Sequence, residues 1–157
     1  MYGVGSTSNF TIEPFFFEGT LNGERYLNLL QNHVIPFLKN KRCLSSTIFQ
    51  QDGAPPHIEN NVKKYLNDKF PGGRVISRHF PFTWPPRSPD LNPMDYFFWG
   101  YLKYKVYQHK ISTLENLREI IRSEIKLLPR EMLQAAIEDI WKRLDAVVEN
   151  DGGHIEY

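Results

Sequence analysis

The chain has 157 residues, 41% of them hydrophobic and 24% charged, the size and mix of one ordinary domain with its own core, which excludes a wholly disordered chain. Lys and Arg total 19 against 18 Asp and Glu, a net charge of +1, so no argument for a nucleic-acid partner can start from a strongly basic surface. Cys43 is the one cysteine; it excludes an internal disulfide, fits a reducing compartment and reads as a small buried hydrophobe.

No run of eighteen apolar residues occurs, so a membrane partner is not expected. The opening MYGVGSTSNF has neither a basic nor an apolar stretch of the kind a signal peptide needs. Lys39 to Arg42 (KNKR) reads as a solvated turn after a helix and not as a nuclear address.

In chain order, Tyr2 to Val4 are compatible with the end of an earlier strand. Aromatic-rich Thr11 to Phe17 predicts a strand, with Pro14 marking an edge or a bulge. Gly19 to Gly23 is a turn by composition. Glu24 to Leu38 predicts a helix with Tyr26, Leu29, Leu30, His33, Val34 and Phe37 on one stripe, kinked or restarted at Pro36. His33 on that stripe reads as a packing histidine. Thr47 to Gln50 predicts a strand ending near Asp52, broken by Gly53, Pro55 and Pro56. A helix from His57 to about Phe70 follows, with Ile58, Val62, Tyr65 and Leu66 inward and Pro71-Gly72-Gly73 as its stop. Val75 and Ile76 centre a short strand.

His79 to Pro93 carries five prolines and reads as an ordered loop anchored by Phe80, Phe82 and Trp84. Asn92 as cap and Pro93 at the first helical position predict a helix to about Tyr107, with Asp95 in its first turn. Ser112 and Glu115 have capping-box spacing ahead of a helix whose face is Leu114, Leu117, Ile121, Ile125 and Leu128. Pro129 opens a last helix, stopped by Gly152-Gly153, with Leu133, Ile137, Ile140, Leu144 and Val148 inward. Strands alternating with helices make a layered α/β domain.

Two acids stand out by position. Asp52 lies at the carboxyl end of a strand, where open α/β sheets collect ligands. Asp95 opens a helix after a rigid loop. Carboxylates brought together repel unless a cation neutralises them. Magnesium takes oxygen ligands and keeps waters, so one or two carboxylates can hold each ion. Two such ions activate a hydroxyl and stabilise the leaving oxygen of a phosphodiester. Structural readings compete: Asp before Gly is a common turn pair, and Asp in a first turn stabilises a helix. Asp90 is a rival to Asp95 but reads as a turn residue beside Ser88. His57 reads as a helix-start residue, with contact to a metal or phosphate as its alternative. Glu13 and Glu18 read as solvated edge positions.

Gln51-Asp52-Gly53-Ala54-Pro55-Pro56-His57 resembles the second catalytic-aspartate motif of the Tc1/mariner transposases. Trp84-Pro85-Pro86-Arg87-Ser88-Pro89-Asp90-Leu91-Asn92-Pro93-Met94-Asp95 resembles the segment carrying their third catalytic acid, which matches Asp95 and not Asp90. Phe15 to Gly19 with Asn22 to Tyr26 is similar to a strand and following helix of that family. The resemblance is clearest from Phe15 to Tyr107, and the longer step from Asp52 to Asp95 points to a divergent mariner-like branch.

The resemblance implies that residues 1–157 form one partial RNase H-like (retroviral-integrase-like) DDE catalytic domain: a mixed sheet with covering helices, and 108–157 as a C-terminal helical extension. It implies nuclear residence, DNA as substrate, and strand cleavage and transfer with Mg²⁺ or Mn²⁺ held by three acids, two of which match Asp52 and Asp95. The first acid is expected upstream of the region resembling Met1 to Phe17, along with helix-turn-helix domains that read transposon ends. On that expectation the chain alone is inactive or nearly so, because a missing ligand removes charge and geometry from the metal site. Arg74, Arg78, Arg87, Lys103 and Lys105 are candidate phosphate contacts, giving weak, salt-dependent, non-specific DNA binding. A homodimer is a family expectation. The alternative is a nuclear remnant that binds nucleic acid or protein without catalysis.

Overall fold

A computed structural model describes residues 2–3, 5–7, 9–85 and 88–155. Its elements in chain order are β1 (Tyr2–Gly3), β2 (Phe15–Phe16), α1 (Gly23–Leu29), α2 (Ile35–Asn40), β3 (Phe49–Gln50), α3 (Asn60–Lys69), β4 (Val75–Ile76), α4 (Trp99–Val106), α5 (Leu114–Leu127), α6 (Arg130–Glu138) and α7 (Ile140–Glu149). π turns at Leu30–Val34 and Met94–Phe98 lead into α2 and α4, and 3₁₀ turns occupy Pro55–Ile58 and Pro89–Leu91. No helix among the described residues is long and apolar enough to cross a membrane. The residues fall into two compact units: the described part of 16–87, and that of 2–15 with 88–157.

In the first unit β3 and β4 pair in parallel, Phe49 opposite Val75 and Gln50 opposite Ile76. A bridge from Ile76 to Phe82 extends the pairing on the far side. The core is Leu30, Ile35, Val62, Leu66, Phe70 and Val75, none more than 2% exposed; burying each such side chain is worth about 2 kcal/mol. Asn22 caps α1 by accepting from Arg25 N–H at 2.9 Å, and Glu59 Oε1 accepts from Gly23 N–H at 2.9 Å. A Cβ at position 23 would lie 2.0 Å from the Glu59 carboxyl carbon, so a larger residue there would displace the Glu59 side chain from its hydrogen bond.

The predicted Glu24–Leu38 helix is interrupted by the π turn. Ile35 N–H reaches back five residues to the Leu30 carbonyl, just before Pro36, which has no N–H to give. The turn inserts one residue into the stripe. The buried set becomes Tyr26, Leu29 and Leu30, then Val34, Ile35 and Leu38, where an uninterrupted helix would bury 33, 34 and 37. His33 is therefore turned out to solvent and is not a packing histidine. Cys43 is half-buried, its Sγ 3.5 Å from the Leu38 carbonyl.

The predicted His57–Phe70 helix starts late, because Pro55 and Pro56 close a 3₁₀ turn first; α3 then buries Val62 and Leu66. It stops where Gly72 and Gly73 take φ of 74° and 76°, conformations open to glycine. Of the loop aromatics, Phe80 is buried as expected, but Phe82 is 60% exposed.

The predicted strand Thr11–Phe17 shrinks to β2, which falls on the boundary between the units and pairs with β1; in the second unit an isolated bridge joins Ser6 and Thr11. Pro14 has no N–H for a ladder, so pairing does not run through it. Phe98, just before α4, and Leu102 and Val106 on it are buried; α5 packs on that helix and buries its own Ile121 and Ile125. The α5 cap is Thr113, which accepts from Asn116 N–H at 3.1 Å, while Ser112 N–H donates to Asn116 Oδ1 at 3.2 Å. The box is thus one residue later than Ser112–Glu115, and Leu114 at its start is 65% exposed. The single helix expected from Pro129 to Gly152 is two, separated at Asp139, whose carboxylate accepts from Arg143 Nε at 2.7 Å. Val148 ends up 76% exposed and not inward.

Candidate functional site

Asp52 stands two residues beyond β3. Gly53 leaves the strand, and Ala54 takes the extended conformation that a following proline imposes. The Pro55–Ile58 turn, closed by His57 N–H on the Ala54 carbonyl at 2.9 Å, folds His57 back over the strand end. His57 Nδ1 lies 2.6 Å from Asp52 Oδ1, and Ala54 N–H donates to the same oxygen at 3.1 Å. The Asp52 side chain remains 52% exposed and that of His57 18%. The His57 hydrogen bond, opposed by partial burial and helped by Ala54 N–H and the nearby imidazole charge, holds the Asp52 carboxyl below the ordinary range.

Beneath this pair lies a buried polar group. Tyr26 donates to Gln51 Oε1 at 2.6 Å, and Gln51 Nε2 donates to the His57 carbonyl at 2.9 Å and to Ser77 Oγ at 3.2 Å. Ser77 Oγ in turn donates to the Asp52 carbonyl at 3.3 Å. The Tyr26 and His57 rings are 4.2 Å apart. Burial pushes the Tyr26 phenol far above the ordinary tyrosine range and the Asp52 charge pushes it further, so it stays a neutral donor.

The donor set suits a hard divalent cation. Asp52 is ionised at neutral pH, half in solvent, and its Oδ2 accepts no hydrogen bond among the described residues. Among those residues no group of three or more His, Cys, Asp or Glu gathers into a cage. Magnesium and manganese keep waters and take one or two carboxylates, so Asp52 is a donor of the right kind.

Asp95 belongs to the second unit and is exposed. Its N–H donates to the Asn92 carbonyl at 2.8 Å, and its Oδ2 accepts from Asn92 Nδ2 at 2.7 Å. Asn92 Oδ1 also accepts from Met94 N–H at 3.1 Å. The segment is tied to the C-terminal helices. Tyr96 donates its hydroxyl to the Ala136 carbonyl, and the Arg143 guanidinium lies 3.9 Å from the Tyr96 ring centre. Burial, partly offset by Arg143, raises the Tyr96 phenol to about 12. Asp90 has different work: its carbonyl accepts from Arg143 and its carboxylate meets His154 Nδ1 at 2.9 Å.

The basic candidates divide. Arg74 gives its guanidinium to the carbonyls of Leu44 at 2.9 Å, Thr47 at 2.7 Å and Pro71 at 3.2 Å, so it braces the approach to β3. Arg78 is exposed, with its stem against Gly53, where an added Cβ would lie 2.8 Å from Arg78 Cβ and Cδ. Lys103 is exposed on α4, and Lys105 Nζ sits 5.8 Å from the Tyr101 ring centre. Arg87 lies outside the described residues.

The feature missed by sequence reasoning is the His57–Asp52 pair. Its signal is the double proline between them, which forces a tight turn and returns residue 57 to residue 52.

A family model described as DDE superfamily endonuclease matches residues 3–118. The Tc3 transposase of Caenorhabditis elegans is 28% identical over 148 residues, covering 93% of this chain and 42% of the relative. The Tcb1 transposase of Caenorhabditis briggsae is 25% identical over 139 residues, covering 88% and 47%. The chain thus spans less than half the length of these curated relatives. Among solved structures, the Mos1 transposase catalytic domain with raltegravir and Mn superposes with a TM-score of 0.84 at 22% identity, over 98% of this chain and 76% of that one. The Mos1 mariner paired end complex with Mn gives 0.81 at 22% identity, over 95% and 43%. The fold is RNase H-like, a mixed α/β architecture with covering helices.

Proposed function

The chain belongs to the DDE superfamily endonucleases, in its Tc1/mariner transposase branch, and from that premise we propose that it contributes catalytic-domain acids to metal-dependent cleavage and transfer of DNA strands. The observation carrying the reading is Asp52: an ionised, half-exposed carboxylate at the carboxyl end of β3, with one oxygen left to accept a cation. Asp52 and Asp95 are assigned as metal-binding acids. Bound Mg²⁺ or Mn²⁺ would supply Lewis acidity toward an attacking hydroxyl and toward the leaving oxygen of a phosphodiester. Asp52 brings the charge. Asn92 holds the Asp95 carboxylate in place.

Arg78, Lys103 and Lys105 are the phosphate contacts of this reading, with Arg87 as a sequence candidate; Arg74 serves as a brace. The DNA contact is weak, non-specific and salt-dependent, because few cations take part. The Mos1 relative is known in paired-end complexes, and a homodimer and nuclear residence are proposed here by family analogy.

The test is cleavage of a nicked DNA duplex by the purified chain in Mn²⁺, beside Asp52→Asn and Asp95→Asn. Metal-dependent cutting that disappears in both variants supports the proposal. No cutting by the parent, with DNA affinity unchanged in both variants, replaces it with the non-catalytic binding role.

A further inference from the structure

We infer that His57 is a positioning residue for Asp52: with Ala54 N–H it occupies Oδ1, so that Oδ2 is the atom presented to a divalent ion, and Tyr26, Gln51 and Ser77 hold both residues in that setting. The inference rests on the reading of Asp52 as a metal ligand and deepens it by naming the liganding atom and its supports.

Three observations carry it. The first is that both donors converge on one oxygen, His57 Nδ1 at 2.6 Å and Ala54 N–H at 3.1 Å, and none reaches Oδ2 among the described residues. The two oxygens are equivalent, so a half-turn of the carboxylate restores the same arrangement, while any lesser turn strains or breaks both hydrogen bonds. An ionised carboxylate only accepts, so Nδ1 must carry the proton in this pair.

The second is that the His57 imidazole makes no other hydrogen bond among the described residues. His57 lies within the 3₁₀ turn, and α3 begins only at Asn60. Its ring is fixed by the Tyr26 ring 4.2 Å away, and its side chain is 18% exposed.

The third is that the support reaches Asp52 from two sides. Gln51 is 7% exposed and Ser77 0%. The Gln51 amide is fully engaged, by Tyr26 on its oxygen and by the His57 carbonyl and Ser77 on its nitrogen. Ser77 then grips the Asp52 carbonyl. A polar group this buried and this complete specifies one arrangement, since loss of any member leaves a partner unsatisfied. Partners that orient a liganding side chain govern metal affinity by about 10–100-fold.

The experiment measures Mn²⁺ binding to the DNA-free chain by water-proton relaxation, with Asp52→Asn as reference. His57→Phe keeps a ring against Tyr26 and removes the donor; His57→Asn keeps a short donor. Expected is a loss of about tenfold in Mn²⁺ affinity for His57→Phe, with His57→Asn staying close to the parent. Tyr26→Phe deletes one hydroxyl and carries the same test if His57→Phe does not fold, with a smaller loss expected. Parent-like affinity in His57→Phe alongside a loss in Asp52→Asn overturns the inference and leaves the Asp52 reading standing. Equal losses in both His57 variants overturn it too, because the donor would not be the working part. Parent-like affinity in Asp52→Asn overturns the metal reading and this inference together.

Discussion

Asn92 holds Asp95 twice: its carbonyl accepts from Asp95 N–H at 2.8 Å and its side-chain amide donates to Asp95 Oδ2 at 2.7 Å. The same side chain accepts from Met94 N–H at 3.1 Å, so one amide both starts the helical segment and orients the acid. Replacing Asn92 by Ala removes both side-chain bonds and should cost about 1 kcal/mol of stability, read as a lower urea midpoint. Asn92→Asp is the sharper variant. It keeps an acceptor for Met94 N–H but sets a like charge beside Asp95, so metal-dependent cutting should fall further than in Asn92→Ala while the stability loss is smaller.

The pH dependence of stability follows from Asp52. Its folded carboxyl titrates below the unfolded value, which is about 3.9 for an aspartate. The group therefore adds stability that is fully present above the unfolded value and is lost as pH falls through the lower folded one. Urea unfolding of parent and Asp52→Asn at neutral pH and at about pH 3 should show the parent losing more on acidification. Equal losses would mean that the His57 and Ala54 bonds do not favour the charged form.

Much of this was readable in the chain. Asp52 beyond a strand, Asp95 after a proline loop, and the stop at Gly72-Gly73 all follow from local rules. What escaped were register effects. Pro36 announces a break near residue 35 but not that a π turn will insert a residue and expel His33. Ser112 and Thr113 are adjacent hydroxyls with equal claims to the cap, and the Asn116 side chain decides between them by accepting from Ser112 N–H. The break at Asp139 leaves no proline or glycine in the sequence. It comes with the Arg143 contacts to Asp139, Asp90 and the Tyr96 ring, which no period reveals.

Gly53 is the tightest packing position beside the site. A Cβ there would stand 2.8 Å from Arg78 Cβ and Cδ, and the Arg78 Cβ cannot swing away as a long side chain's tip could. Gly53→Ala should cost about 1–3 kcal/mol through overpacking. Much of that should be recovered in a Gly53→Ala, Arg78→Gly double variant, which removes the opposing atoms. Additive losses in thermal unfolding would show that the strain lies elsewhere.

The two arginines near β3 and β4 should separate stability from DNA affinity. Arg74 reaches three backbone carbonyls, two of them at 2.9 Å or closer, and lies over the Phe70 ring at 5.7 Å. Arg74→Ala leaves those partly buried carbonyls without their donor, at about 1–3 kcal/mol for such a loss. Its effect on DNA should be no more than that of lost folded protein. Arg78 is exposed beside Gly53 and close in sequence to the Ser77 that grips Asp52. Arg78→Ala should leave the unfolding midpoint nearly unchanged, weaken DNA binding uniformly across sequences, and reduce the slope of log affinity against log salt by about one. Filter binding of a short duplex at several salt concentrations, paired with urea unfolding of each variant, measures both. A reduced salt slope in Arg74→Ala, with none in Arg78→Ala, would exchange the two roles.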